Sequence, residues 1–133
     1  MEGLGARLCA RRATPEQVAE LKELCKEMHA IEDATARVEV NSRFHSMIAQ
    51  FSGNDRVVDY LADFRERVNR DMYLSSFNAV RTHDCDDEHD HIVDAIERHD
   101  EVAAENAMRK HINNAFIFKR ANAELQDKKL NEV

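Results

Sequence analysis

Asn41, His45, His89 and His111 are the residues of this 133-residue chain whose types and spacing can hold a metal ion. Asn41 and His45 stand four apart, one helical turn, so their side chains can reach a common point. His89 and His111 fall on the apolar stripes of two other predicted helices. Three neutral imidazoles and an amide oxygen suit zinc, nickel, cobalt, iron or manganese, whereas calcium and magnesium prefer mainly oxygen ligands. One histidine on an apolar stripe is more often a packed core residue than a ligand. Three of them on three stripes argue for a shared cation, because each would otherwise need its own buried partner. The other histidines read differently. His91 is about 200° round the helix from His89, and His99 lies between Arg98 and Asp100 at a helix end, so both are expected in solvent. His29 flanks its stripe and His83 falls in a connection; both read as structural or surface residues.

The elements that must position the four are helices. With 3 Gly, 1 Pro and no Trp the chain lacks the turn residues of a many-stranded fold, and 43% hydrophobic content over this length suits one domain with a core. All-α is the expected class. Leu4, Ala6, Leu8, Cys9 and Ala10 look like the tail of a helix, which places Met1 inside a longer element. Thr14-Pro15-Glu16-Gln17 is a start signal, with Thr14 as N-cap, Pro15 at the first position and Gln17 closing a capping box. That helix runs to about Glu32 and turns Val18, Leu21, Leu24, Cys25, Met28 and Ile31 inward. The next is predicted over about Ala36 to Phe51 with Val38, Asn41, His45 and Ile48 on one face, and Ser52-Gly53-Asn54 ends it. A helix over about Asp55 to Ser75 buries Val58, Leu61, Ala62, Phe64, Val68 and Met72, and Ser76 to Asp84 reads as an irregular connection. Cys85 to Arg98 carries the stripe His89, Ile92, Val93, Ile96. Asp100 caps a last helix from Glu101 to about Leu125, with Ala104, Met108, His111, Ala115 and Phe118 aligned. Residues 126–133 form a polar tail.

A formal net charge of −7 argues against a nucleic-acid surface, which needs clustered Lys and Arg. Cys9, Cys25 and Cys85 have neither disulfide nor zinc-ribbon spacing, which fits a reducing, cytoplasmic setting. No apolar run approaches the roughly 20 residues of a membrane span, and no signal-peptide pattern opens the chain.

The segment from Glu88 to Ile112, EHDHIVDAIERHDEVAAENAMRKHI, resembles the signature of the FCD domain, the effector-sensing C-terminal domain of FadR-type regulators in the GntR family. NSRFHSMIAQFSGN, from Asn41 to Asn54, is similar to the family's D-x-x-F-H and S-G-N segment, and the stretch from Leu8 to Val18 is similar to its first helix and turn. The resemblance covers nearly the whole chain. It implies an antiparallel bundle of about six helices enclosing a metal and ligand cavity, with a cation held by one Asp or Asn and three His. Those positions are Asn41, His45, His89 and His111, the four found from the stripes. It also implies a small carboxylate effector (an organic acid, sugar acid or amino acid), a homodimer, and DNA binding through an N-terminal winged helix-turn-helix that residues 1–133, read as a single effector domain, do not contain. The family's Asp is Asn41 here, so the ion carries one less neutralising charge, with weaker metal binding and a preference for anionic effectors as the expected results. Arg81, just before the His89 helix, is a candidate second contact to an effector carboxylate, with a solvated arginine as its plainer role.

Two readings of other classes compete. A three-histidine metal with open positions can activate water for hydrolysis. Glu88 adjoins His89 but lies about 100° round the helix, which aims no general base at the ion. In a metal-free interaction module the histidines would only pack, and melting would be indifferent to chelator.

Overall fold

The computed structural model describes residues 1–74 and 79–115. Six helices form a bundle among them: α1 Glu2–Arg12, α2 Pro15–Ala30, α3 Ala34–Phe51, α4 Asp55–Leu74, α5 Ala79–Glu97, and α6, described over 101–115. No strand occurs among these residues, so the expected all-α class is the observed one. None of the described helices is long and apolar enough to cross a membrane.

Local signals set the boundaries. Thr14 Oγ1 accepts from Gln17 N at 3.2 Å while Gln17 Oε1 accepts from Thr14 N at 3.0 Å, which closes the capping box at the start of α2. Asp33 caps α3 through Ala36 N, Asn54 caps α4 through Arg56 N, and Asp100 caps α6 through Ala103 N, each by a side-chain oxygen. Gly53 turns the chain from α3 to α4 at φ 69°, where an L side chain is strained. A Cβ there would also sit 3.0 Å from Arg12 Nη1. Gly53→Ala is therefore expected to cost about 1–2 kcal/mol, read as a lower midpoint in urea denaturation with an unchanged slope.

Some boundaries differ from the sequence reading. Residues 79–84, expected to be irregular, are the first turns of α5. Residues 75–78, the helix continuation to Leu125 with Phe118, and the tail 126–133 lie outside the described residues, as do the side chains of Val68, Met72, Arg81 and His83. Ala62 and Ala115, expected inside, are exposed, and Arg65 is buried instead. His99 takes the left-handed position after α5 at φ 56°, with Asp100 N reaching back to Ala95 O at 3.0 Å. Its Nδ1–H donates to Ala10 O of α1 at 2.7 Å, so this histidine is a clamp between the α5–α6 turn and α1 rather than a purely solvated side chain.

The main core gathers Cys9 and Ala10 of α1, Leu21 and Met28 of α2, Phe44 and Ile48 of α3, Ile92 and Ile96 of α5, and Ala104 and Met108 of α6. Full burial of each large member contributes roughly 1.5–3 kcal/mol. A smaller cluster of Ala49, Val57 and Leu61 holds α4 against α3. Arg37 is an internal strut: it donates to the carbonyls of Met28 and Ile31 and pairs with Asp86 at 2.6 Å, tying α2, α3 and α5 together. These contacts fix α3, α5 and α6, the three helices that carry the histidines.

Candidate metal centre

Phe44 and Ile48 pull one face of α3 inward and leave His45 buried at its edge, because positions 44, 45 and 48 share that face. Ile92, Val93 and Ile96 do the same for His89 on α5, and Ala104 and Met108 for His111 on α6. The three rings meet. His89 Nε2 lies 3.1 Å from His111 Nε2, which lies 3.3 Å from His45 Nε2, and one ligand atom from each ring falls within 4.8 Å of the others. Phe44 packs on His89 with ring centroids 4.7 Å apart and closes one side. Among the described residues the histidines face one another rather than lining an open cavity. Surface grooves lie elsewhere, one of about 320 Å³ between α1, α4 and α6, lined by Glu2, Leu61, Phe64 and Ile112 among others.

Two carboxylates orient the rings from behind. Glu2 Oε2 accepts from His45 Nδ1–H at 3.1 Å, and Glu88 Oε1 accepts from His111 Nδ1–H at 2.7 Å. This fixes the tautomer of both rings and leaves their Nε2 lone pairs pointing at each other across 3.3 Å. Two lone pairs at that distance repel unless a proton or a cation lies between them. His89 can donate one proton into the group, yet among the described residues its Nδ1 has no hydrogen-bond partner although the residue is buried. The spacing itself fits a metal: bonds of about 2.0–2.1 Å to imidazole place adjacent ligand nitrogens roughly 2.9–3.4 Å apart. Donor type, tautomer and spacing therefore all suit a transition-metal ion. Such an ion would supply a positive charge with positions open to an oxygen ligand.

The electrostatics keep His45 and His89 in their ligand form. Burial pushes His45 down to about 4, with the Arg65 guanidinium adding to the effect. Burial likewise holds His89 well below the ordinary 6.5, helped by His111 and His45. Glu2 is the reverse case: burial opposes its charge, but contact with His45 and with Arg65 outweighs burial and holds it at about 2. Arg65 donates to Glu2 Oε1 through Nε at 2.9 Å and Nη2 at 2.6 Å, so Glu2 stays a carboxylate and the shared proton stays on His45.

A pH dependence follows for the metal-free protein. The unfolded chain protonates His45 and His89 near 6.5, while the folded protein does not protonate His45 until about 4. The unfolded state thus binds more protons in that window, and stability rises with pH. Among the described residues the groups acting on the two rings are Arg65, Arg37, Glu2 and His111, and Glu2 adds its own loss only between about 4.5 and about 2. Urea midpoints in chelator are expected to fall steadily from pH 6.5 to pH 4. A flat profile over that range would mean that the histidines are protonated in the folded protein.

Of the residues singled out from sequence, His45, His89 and His111 are brought together. Asn41 sits partly buried one turn before His45 on α3, and the Arg81 side chain lies outside the described residues. His91 is exposed, and His29, also exposed, pairs with Asp90 at 2.8 Å. Glu88 does not face the Nε2 centre, as expected, but its oxygens are held by His111 and by Asn114 at 2.8 Å. Glu2, Arg65 and this role of Glu88 were not read from the sequence. The signal for Arg65 was its place four residues after Leu61 and eight after Val57 on the buried face of α4. A first-turn glutamate such as Glu2 reads as an ordinary helix-dipole partner and gave no such sign.

The class is an all-α bundle built round a buried cluster of three imidazoles. The FCD domain model matches residues 1–114, and the chain belongs to the FCD domain family, the effector-binding domains of GntR-type transcription regulators. Two solved structures are similar to it: Streptococcus agalactiae GntR, 28% identical with a TM-score of 0.66, and E. coli McbR/YncC, 16% identical with a TM-score of 0.78. Each alignment covers 90% of this chain, but only 53% and 62% of those two chains, so it spans between half and two thirds of their length. The second likeness is one of fold. No curated protein sequence matches the chain.

Proposed function

We propose that this chain is the effector-sensing domain of a cytoplasmic transcription regulator, in which a divalent transition metal held by His45, His89, His111 and Asn41 anchors a small carboxylate. One observation carries the reading: three buried imidazoles converge, with His111 Nε2 3.1 and 3.3 Å from the Nε2 atoms of His89 and His45, and the outer nitrogens of His45 and His111 are held by carboxylates. Residues 1–133 act as one domain, and DNA contact and dimerisation belong to the whole protein, where a winged helix-turn-helix would read the operator. Held by these four residues, such an ion would keep positions open to water or a chelating carboxylate, and the difference in affinity between helix arrangements is what an effector could exploit. The protein's own work is to exclude bulk water through Phe44, to keep His45 and His89 neutral by burial, and to hold His45 and His111 through Glu2 and Glu88. Asn41 leaves the ion one negative charge short, which favours anionic and in particular dicarboxylate effectors.

The test is a thermal-shift screen of small mono- and dicarboxylates against protein loaded with zinc or nickel and against protein stripped with chelator. Hits confined to the loaded protein support the reading, and equal shifts in both forms would remove the metal from it. Asn41→Asp is expected to bind metal more tightly and to lose part of its preference for dicarboxylates; competition against a coloured chelator reads the first change, and an unchanged affinity would count against Asn41 as a ligand.

A further inference from the structure

Beside the three-histidine centre lies a second group of donors. Cys85, Glu88 and His111 each place one ligand atom within 4.8 Å of the others. Cys85 and Glu88 stand three apart on one face of α5, and His111 reaches them from α6. The Glu88 oxygen meets the Nδ1 edge of the His111 ring at 2.7 Å, whereas the histidine centre uses the Nε2 edge. One ring therefore faces two donor groups through its two nitrogens. The groups differ in access: His45 and His89 are sealed from solvent, while Cys85 is partly exposed and the Glu88 side chain keeps 15% of its surface.

We propose that Cys85, Glu88 and Nδ1 of His111 form a second site for a zinc-class transition-metal ion at the rim of the histidine centre. Thiolate, carboxylate and imidazole are a zinc donor set, and the sulfur tilts preference towards softer ions than a set of imidazoles and an amide does. Bonds of about 2.0–2.3 Å put tetrahedral ligand atoms roughly 3.3–3.8 Å apart, so three atoms already within 4.8 Å close on an ion by side-chain rotation. The proton balance is explicit. Binding releases the Cys85 thiol proton to solvent; the His111 Nδ1 proton moves to Nε2 where that nitrogen is free and leaves to solvent where it already holds a centre ion, and Glu88 Oε1 exchanges its hydrogen bond for a metal bond while Asn114 retains Oε2. Nothing is oxidised or reduced. Because His111 belongs to both groups, an ion at the rim changes the charge on a ring of the centre, and the two sites are linked.

This site stands whether or not the histidine centre holds the effector-anchoring metal. The test is titration of reduced, metal-free full chain with cobalt(II), followed in the near ultraviolet, where thiolate-to-cobalt charge transfer absorbs. The expected result is a charge-transfer band in the wild type that is lost in Cys85→Ser and kept in His89→Ala, with zinc content falling from two ions per chain to one in each variant. Zinc should also slow alkylation of Cys85 in the wild type, read by peptide mass spectrometry without any substitution. Absence of the band in the wild type, a band that survives Cys85→Ser, or alkylation of Cys85 that ignores zinc would each overturn the proposal. A charge-transfer band with zinc content unaffected by His89→Ala would uphold the rim site and defeat the histidine centre instead.

Discussion

His111→Ala is expected to abolish metal binding at the centre of the bundle and, with it, the thermal response of the protein to zinc or nickel. His111 is the shared member of the cluster, 3.1 Å from one partner nitrogen and 3.3 Å from the other, so its removal separates His45 from His89. Loss of a partner that merely orients a ligand weakens metal binding by about 10–100-fold, and loss of the ligand itself should exceed that. At a free metal concentration 100 times the dissociation constant, binding stabilises the folded state by about 2.7 kcal/mol. For a domain of this size that is on the order of 10 °C in melting temperature. Melting curves in metal and in chelator should therefore diverge by about that much for the wild type and coincide for His111→Ala. Coincident curves for the wild type as well would leave the bundle intact and sink the metal-anchored mechanism.

Glu2→Ala is expected to destabilise the bundle strongly without replacing a histidine. Glu2 is 7% exposed and is held by Arg65 at 2.6 and 2.9 Å and by His45 at 3.1 Å, so its removal leaves a guanidinium buried without its carboxylate and a ring without its acceptor. Removing one partner of a buried ion pair costs about 3–5 kcal/mol. Urea denaturation at pH 7 in chelator measures this without any contribution from metal. The pairing makes a sharper expectation: Glu2→Met with Arg65→Met should be more stable than Glu2→Ala alone, because the second change removes the stranded charge. If Glu2→Ala costs under about 1 kcal/mol, the value of an exposed pair, then water reaches this contact in solution.

How far the sequence reached can be judged helix by helix. Thr14, Asn54 and Asp100 announced their turns because capping is a contact between a side chain and backbone only two or three residues away, and Gly53 announced its turn because glycine alone takes the left-handed conformation freely. His45, His89 and His111 were legible for a related reason: a helical period of 3.6 residues converts spacing into direction, and each fell on a stripe whose apolar members had to be inside. The same rule misplaced Ala62 and Ala115, small residues at the edge of a stripe, where a few degrees of helix rotation decide between core and solvent. Residues 79–84 hid their helix because Thr82, His83 and Asp84 carry no apolar period to reveal it.

The pairing of Glu2 with Arg65 was beyond reach, since the two are 63 positions apart and meet only because α1 crosses α4. The convergence of the three Nε2 atoms, the tautomers set by Glu2 and Glu88, and the two-sided use of the His111 ring belong to the same category. Sequence by itself determined the helical class, the caps and most of the apolar side chains that turn inward, because those follow from interactions within a few residues of chain. Only the tertiary structure decided which inward side chains meet and through which atoms, because that depends on how far each helix is shifted and rotated against its neighbours, and a hydrogen bond is lost within an ångström of such movement.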